Sequence, residues 1–207
     1  MIKLKTFIKI IFILLFLPLS SCGLKKSTWE EQGQYTLDDS SANYVWKKGK
    51  QYVAVVRTIP VRGRNKNKTI HPVRISPSTI ENSFSKIKYK KSKKGSLIRA
   101  LNNRNVKILS QYLPEALLKA KNKDILFELF QLRKKWWILP TTIDTTAGYI
   151  FIEPGRINII FEKINEDYQG YDYDEARILV GDPSNGIYGG KSQVSKGWIV
   201  LTSKSWN

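Results

Sequence analysis

The pattern of hydrophobic and polar residues predicts strands most clearly in the last third of the chain. Residues 146–152 and 156–161 are rich in β-branched and aromatic side chains, and Glu153-Pro154-Gly155 between them is a turn sequence. Together these segments predict a β-hairpin. The same composition predicts further strands at residues 51–60, 71–75, 106–109, 135–139, 176–180 and 197–202.

Helical patterns are fewer. Residues 113–121 combine Ala and Leu with a final Lys, which predicts a helix with Pro114 in its first turn. A short helix is also expected around residues 96–104, and residues 76–79 carry turn or helix-capping side chains. Residues 124–132 fit either a strand face or a helical stripe, and we favour a strand because a helix has just ended before them.

These elements predict an α+β fold, with one domain built on a mainly antiparallel sheet and one or two short helices. The domain is expected to span residues 45–207. Residues 22–44 are mostly polar and have little apolar periodicity, which is typical of a flexible tether. No internal repeat of fixed period is visible.

The amino terminus has the three parts of a secretory signal. Lys3, Lys5 and Lys9 form a basic start, residues 10–17 are apolar, and small residues follow. The apolar run is shorter than the roughly 20 residues that a membrane-spanning helix needs. We therefore expect residues 1–21 to be removed as a signal peptide.

Leu19-Ser20-Ser21-Cys22 resembles the lipobox of bacterial lipoproteins, and Cys22 is the only cysteine of the chain. The resemblance implies that Cys22 carries a diacylglycerol and fatty acyl chains such as palmitate. Lipoproteins kept at the inner membrane usually have Asp after the Cys, whereas this chain has Gly23. The resemblance therefore favours the outer membrane, facing the periplasm, in a host with two membranes. Each buried acyl methylene contributes about 0.8 kcal/mol, so the chains anchor the protein without spanning the bilayer.

A second resemblance concerns the hairpin. Residues 145–161, with Leu-Pro-Glu-Ala-Leu upstream at residues 113–117, resemble a hairpin of uncharacterised bacterial envelope lipoproteins. The shared pattern consists of strand and turn residues over a limited part of the chain. It therefore implies a place in the cell envelope and no particular activity.

Positive charge is concentrated in the first half of the chain, whose formal net charge as a whole is +18. Residues 22–107 carry 20 basic and 5 acidic residues, whereas residues 108–207 carry 12 of each. Six lysines crowd the densest run, residues 86–94: Lys86, Lys88, Lys90, Lys91, Lys93 and Lys94. We expect no core to be built from this run, which is either a solvated loop or a surface for anionic lipid or wall polymer. Nucleic acid is disfavoured because the chain is predicted to be exported.

Two further clusters are candidate sites. Trp136 and Trp137 adjoin three cations, a combination found at membrane interfaces, and in a strand one indole would be buried and the other free for contact. Residues 166–175 collect five carboxylates and three tyrosines around a glycine. This loop suits a wall-glycan hydrolase, a calcium site or a plain acidic surface, with Asp172 and Asp174 as the residues of interest.

The residue inventory excludes several chemistries. One Cys and one His rule out disulfide frameworks, zinc fingers and three-His metal centres, and His71 has no Gly-x-Ser-x-Gly motif to act with. No glycine pattern of a nucleotide cofactor site is present. We therefore expect no cofactor, and a binding or assembly component rather than an enzyme. Its partner would be an anionic lipid, a wall polymer or an envelope protein complex. The alternative is a cell-wall glycan hydrolase that uses carboxylates of residues 166–175.

Overall fold

Two antiparallel sheets and two helices make up the part of the chain that the computed structural model describes, residues 42–58, 69–133, 142–168, 177–189 and 197–206. These residues belong to one compact unit, Leu37–Asn207. In chain order the elements are β1 (Asn43–Lys48), β2 (Gln51–Val56), α1 (Pro77–Phe84), β3 (Lys88–Lys90), β4 (Ile98–Arg99), α2 (Asn103–Lys119), β5 (Asp124–Arg133), β6 (Thr142–Glu153), β7 (Arg156–Asp167), β8 (Ile178–Val180), β9 (Ile187–Gly189) and β10 (Trp198–Thr202). Short 3₁₀ turns lie at Pro183–Asn185 and Ser203–Ser205.

The large sheet has the strand order β1-β2-β5-β6-β7-β10-β9, and the small sheet has the order β4-β3-β8. This arrangement confirms the predicted α+β class with a mainly antiparallel sheet. It also decides the open case of residues 124–132, which form most of β5. The large sheet begins with β1 at Asn43, slightly before the predicted domain start at residue 45.

The predicted hairpin lies within the large sheet as β6 and β7. Glu153 and Arg156 are paired at its closed end, and Gly155 in the turn has a φ of +68°. A Pro-Gly turn of this kind needs a positive φ, which glycine adopts without a steric penalty. Gly148 meets a second constraint, because a Cβ there would collide with the carbonyl oxygen of Ile160 on the neighbouring strand.

One face of the large sheet packs against both helices and forms the main core. Alternate residues of β7 point into it, with Ile157 and Ile159 fully buried. The buried stripe of α2, which includes Leu109 and Leu113, belongs to the same hydrophobic cluster, and the helix packs on β1, β2 and β5. The spacing of this stripe is that of an amphipathic helix lying on a sheet.

α2 is longer than predicted. It begins at Asn103, so residues 106–109 are helical and not a strand, and Pro114 lies inside the helix and not in its first turn. Apolar residues continue at helical spacing on both sides of the proline, so their burial outweighs the backbone hydrogen bond that proline cannot donate. Asn102 caps the helix, since its Oδ1 accepts a hydrogen bond from the Asn105 amide at 2.7 Å.

Two shorter predictions are wrong. Most of the short helix expected around residues 96–104 is absent, because Ile98–Arg99 pair with β3 as strand β4 and only residues 103–104 are helical, as the start of α2. Residues 71–75 form no strand, and Pro72 within them has no backbone N–H for a sheet ladder. The capping chemistry predicted for residues 76–79 is confirmed, since Ser76 Oγ accepts a hydrogen bond from the Thr79 amide at 3.0 Å at the start of α1.

The lysine run contributes to the core, contrary to the prediction. Ile87 is 0% exposed and Tyr89 is 1% exposed, and both belong to the main hydrophobic cluster. The run is a strand at Lys88–Lys90, so successive side chains point to opposite faces. An apolar residue between two lysines can therefore be buried while the lysines stay at the surface.

Candidate functional site

Residues 88–90 of the lysine run form β3, the central strand of the small sheet. In β3, Lys88 lies opposite Arg99 of β4 and Val180 of β8, and Tyr89 lies opposite Ile98 and Leu179. Since Tyr89 points into the core, Lys88 and its partner Arg99 point outward. The strand pairing thus adds to the lysines an arginine from a different segment.

The turn after β3 extends this charged face. Lys93 and Lys94 are exposed in it, and the turn is closed by a hydrogen bond from the Gly95 amide to the Ser92 carbonyl oxygen at 3.0 Å. We define the basic patch as the outward cations of the small sheet and this turn: Lys88, Lys90, Lys93, Lys94 and Arg99.

Two of the six lysines of the run do not belong to the basic patch. Lys86 Nζ donates a hydrogen bond to the Ser205 carbonyl oxygen at 3.3 Å and so helps to hold the carboxyl-terminal 3₁₀ turn. Lys91 is partly buried at the start of the turn. The acidic group at the edge of the patch is Asp182. Hydrogen bonds from Ser184 and Asn185 lower the pKa of its carboxyl, and Lys88 contributes in the same direction.

An open groove of about 550 Å³ adjoins the basic patch and shares Arg99 with it. We call it the amide–arginine groove, after the residues that line it: Ile98, Arg99, Asn102, Asn103, Arg104, Gln131 and Asn165. These residues come from β4, the start of α2, β5 and β7.

A chain of carboxamides forms the floor of the groove. Asn102 Nδ2 donates to Gln131 Oε1 at 2.8 Å, and Gln131 Nε2 donates to Asn165 Oδ1 at 2.8 Å. Asn165 Nδ2 then donates to Tyr89 Oη at 3.3 Å and to the Arg99 carbonyl oxygen at 3.1 Å. Because Tyr89 is buried, this chain ties the groove to the hydrophobic core.

Asn165 has an unusual backbone at the centre of this floor. Its φ is +49°, a region that asparagine tolerates better than most residues, and its side chain is 5% exposed. The β6–β7 pairing has irregular register in this part of the hairpin. The irregularity brings Asn165 next to Thr146. The Thr146 Oγ1 donates a hydrogen bond to Asn165 Oδ1 at 3.0 Å and accepts one from the backbone N–H of Asn165 at 3.1 Å.

The arginines make the groove electropositive. Arg99 Nη1 donates to the neutral Asn103 Oδ1 at 2.8 Å, and neither a hydrogen bond nor an ion pair engages the exposed Arg104 within the described residues. The nearby buried carboxylate of Asp144 accepts a hydrogen bond from Gln131 Nε2 at 3.4 Å through Oδ2, and its Oδ1 lies 3.1 Å from Arg133 Nη2. The charges of Arg99 and Arg104 therefore remain available to a ligand.

Several predicted site residues lie outside the described part of the chain: Cys22, Trp136, Trp137, Asp172 and Asp174. Of the acidic segment 166–175, the described Asp167 is 9% exposed and lies opposite Asp144 across the β6–β7 pair. The described residues contain no group of three or more His, Cys, Asp or Glu side chains that could hold a metal ion. None of the helices among the described residues is long and apolar enough to cross a membrane.

A second polar cluster, on the sheet face away from the helices, was not predicted. Glu128 lies opposite Tyr52, next to the small hydrophobic cluster of that face. Burial raises the pKa of the Glu128 carboxyl, and Lys163 partly offsets the shift. Partial desolvation of its carboxyl also raises the pKa of Glu162, an exposed residue of β7 that accepts a hydrogen bond from Tyr149. The sequence signal was a carboxylate in the middle of the apolar run of residues 125–130.

The groove residues were not predicted either, although a local signal exists for four of the seven. Arg99, Asn102, Asn103 and Arg104 lie within one hexapeptide, and an Asn before an amphipathic stripe is a helix-cap signal. Gln131 and Asn165 lie on strands distant in sequence, and their position beside this hexapeptide follows only from the sheet. No protein-family model, curated protein or solved structure matches the chain.

Proposed function

We propose that this protein is a lipid-anchored component of a bacterial envelope that binds an anionic polymer or lipid surface through the basic patch. The observation that carries the proposal is the outward face of the small sheet, where Lys88 and Arg99 are paired and the turn cations Lys93 and Lys94 follow. The lipobox at Cys22 supports a place at the membrane.

Surface cations of this kind act together. Each Lys or Arg near an anionic membrane contributes on the order of 1 kcal/mol, so the five cations of the patch would contribute as much as several buried acyl methylenes. Since the patch is exposed, salt would weaken the attraction, with a screening length of about 10 Å at 0.1 M ionic strength.

The proposal is tested with the purified full-length protein and two matched double variants. Lys93→Gln/Lys94→Gln removes two exposed cations from the patch, and Lys121→Gln/Lys123→Gln removes two exposed cations from the turn after α2. The probes are vesicles of phosphatidylcholine with or without phosphatidylglycerol, and alginate as a soluble polyuronate.

The patch variant should lose roughly 30-fold in affinity for an anionic probe, from about 1 kcal/mol for each cation. The control variant should bind the probe with the same affinity as the unmodified protein. Added salt should weaken the binding of the unmodified protein. Equal losses in the two variants would mean that net charge alone attracts the probe and that the basic patch is no site. Binding that salt does not affect would also contradict the proposal.

A further inference from the structure

We propose that the amide–arginine groove binds a single acidic sugar residue, one that carries a carboxylate or phosphate beside its ring hydroxyls. The inference rests on the proposed function and deepens it. The basic patch would hold an anionic glycan by charge, and the groove beside it would select the sugar.

The acidic group is recognised by Arg99 and Arg104. A guanidinium presents a planar fork of N–H donors that matches a carboxylate or phosphate in two-point contact. Arg99 is held in place by the pairing of β4 with β3 and by its bond to Asn103, and Arg104 projects from the first turn of α2. No carboxylate lies among the described residues that line the groove, so an incoming anion competes with none there.

The hydroxyls are recognised by the carboxamide of Asn102, because Asn165 already uses both N–H donors and both acceptor positions within the fold. Each carboxamide has two N–H donors and an oxygen that accepts twice. Asn102 uses one donor for Gln131 and one acceptor position for the amide of Asn105, which leaves one of each for a ligand. A sugar hydroxyl both donates and accepts, so it matches such a pair, whereas a simple inorganic anion uses only the donors.

The groove is also built in advance of binding. The Asn165 side chain is held by Gln131, Thr146 and Tyr89, so its position is set by the folded core. A ligand therefore does not have to order these side chains, which removes a cost that commonly weakens the binding of polar ligands.

Size and shape agree with one sugar unit in an open site. Small-molecule sites usually have volumes of roughly 300–1,000 Å³, and the groove of about 550 Å³ lies within this range. The partly exposed Ile98 offers an apolar wall for the C–H groups of a sugar ring. The lining residues include no aromatic ring on which a nucleobase could stack, so single-stranded nucleic acid fits less well.

The test is calorimetric titration of the full-length protein with four small probes: glucuronate, glucose 6-phosphate, glucose and inorganic phosphate. Each is also titrated into Arg104→Gln and Lys107→Gln. Both substitutions remove one cation from an exposed position of α2, and Lys107 lies outside the groove lining. The two variants therefore match in helix, exposure and change of charge.

We expect glucuronate and glucose 6-phosphate to bind, and glucose and inorganic phosphate to bind at least about tenfold more weakly. Glucose would lose the charged hydrogen bonds to the arginines, and inorganic phosphate would lose those of the sugar hydroxyls. Arg104→Gln should weaken both acidic sugars about tenfold or more. Lys107→Gln should leave their affinity unchanged.

Three outcomes would overturn the inference. Equal affinities for inorganic phosphate and glucose 6-phosphate would mean that the groove is a simple anion site. Equal affinities for glucose and glucuronate would mean that the arginines do not recognise the ligand. No binding of the acidic sugars, while alginate still binds through the basic patch, would refute the groove and leave the proposed function standing. Failure of alginate and of anionic vesicles, with sugar binding retained, would refute the proposed function instead.

Discussion

Substitution of Asn165 tests whether the amide network and the left-handed backbone stabilise the fold separately. Asn165→Gly removes the side chain but keeps a residue that adopts a φ of +49° without strain. Asn165→Ala removes the same hydrogen bonds and adds a Cβ at that φ. The difference between the two variants therefore isolates the backbone cost.

The magnitudes follow from the bonds of the Asn165 side chain. Its Oδ1 accepts hydrogen bonds from Gln131 Nε2 at 2.8 Å and Thr146 Oγ1 at 3.0 Å. Its Nδ2 donates to Tyr89 Oη at 3.3 Å and to the Arg99 carbonyl oxygen at 3.1 Å. At about 1 kcal/mol for each bond, and with some relief because glycine suits the backbone, Asn165→Gly should cost about 2–4 kcal/mol of unfolding free energy. Asn165→Ala should cost about 1–2 kcal/mol more, because a left-handed conformation is unfavourable for a residue with a Cβ.

The assay is equilibrium urea unfolding of the unmodified protein and both variants, with the m-value followed to detect changes in the unfolded state. Equal stability of the Gly and Ala variants would refute the backbone argument. A loss below about 1 kcal/mol in Asn165→Gly would refute the view that the network stabilises the fold, since several buried polar groups would then have lost their partner without consequence.

Three further predictions concern the anchor, the core and the second sheet face. Cys22→Ala should abolish fatty-acid labelling and membrane fractionation, and continued labelling would show that the lipobox does not act here. Leu109→Ala should lower the unfolding free energy by about 2–5 kcal/mol, as expected for a fully buried leucine of α2, and a loss below about 1 kcal/mol would contradict its place in the core. The pKa of Glu128 is raised in the folded state, so the fold binds more protons than the unfolded chain, and this carboxyl should lower stability as pH rises above its ordinary value of 4.5. In urea unfolding between pH 4 and pH 8, Glu128→Gln should therefore lose less stability with rising pH than the unmodified protein, and an unchanged or steeper slope would show that the sign is wrong.

Where local patterns agree with the final structure, the sequence predicted the elements well. The β-branched and aromatic residues of 156–161 and the Pro-Gly turn before them predicted the first half of β7 and its hairpin, because strand propensity and a turn with positive φ are local properties. Pro114 shows the converse. Its local preference marks a helix start, yet the apolar stripe of α2 continues through it because burial against the sheet contributes more than one backbone hydrogen bond.

The sequence by itself therefore predicted the hairpin, the strands β2, β5, β8 and β10, the excess of positive charge and a lipid anchor at Cys22. Only the tertiary structure decided that Tyr89 points inward from the lysine run, and that Arg99 joins the lysines on the outer face. It also brought Gln131 and Asn165 beside the start of α2. The physical reason is that strand register and helix packing depend on contacts between segments far apart in the chain, whose free energy no local pattern contains.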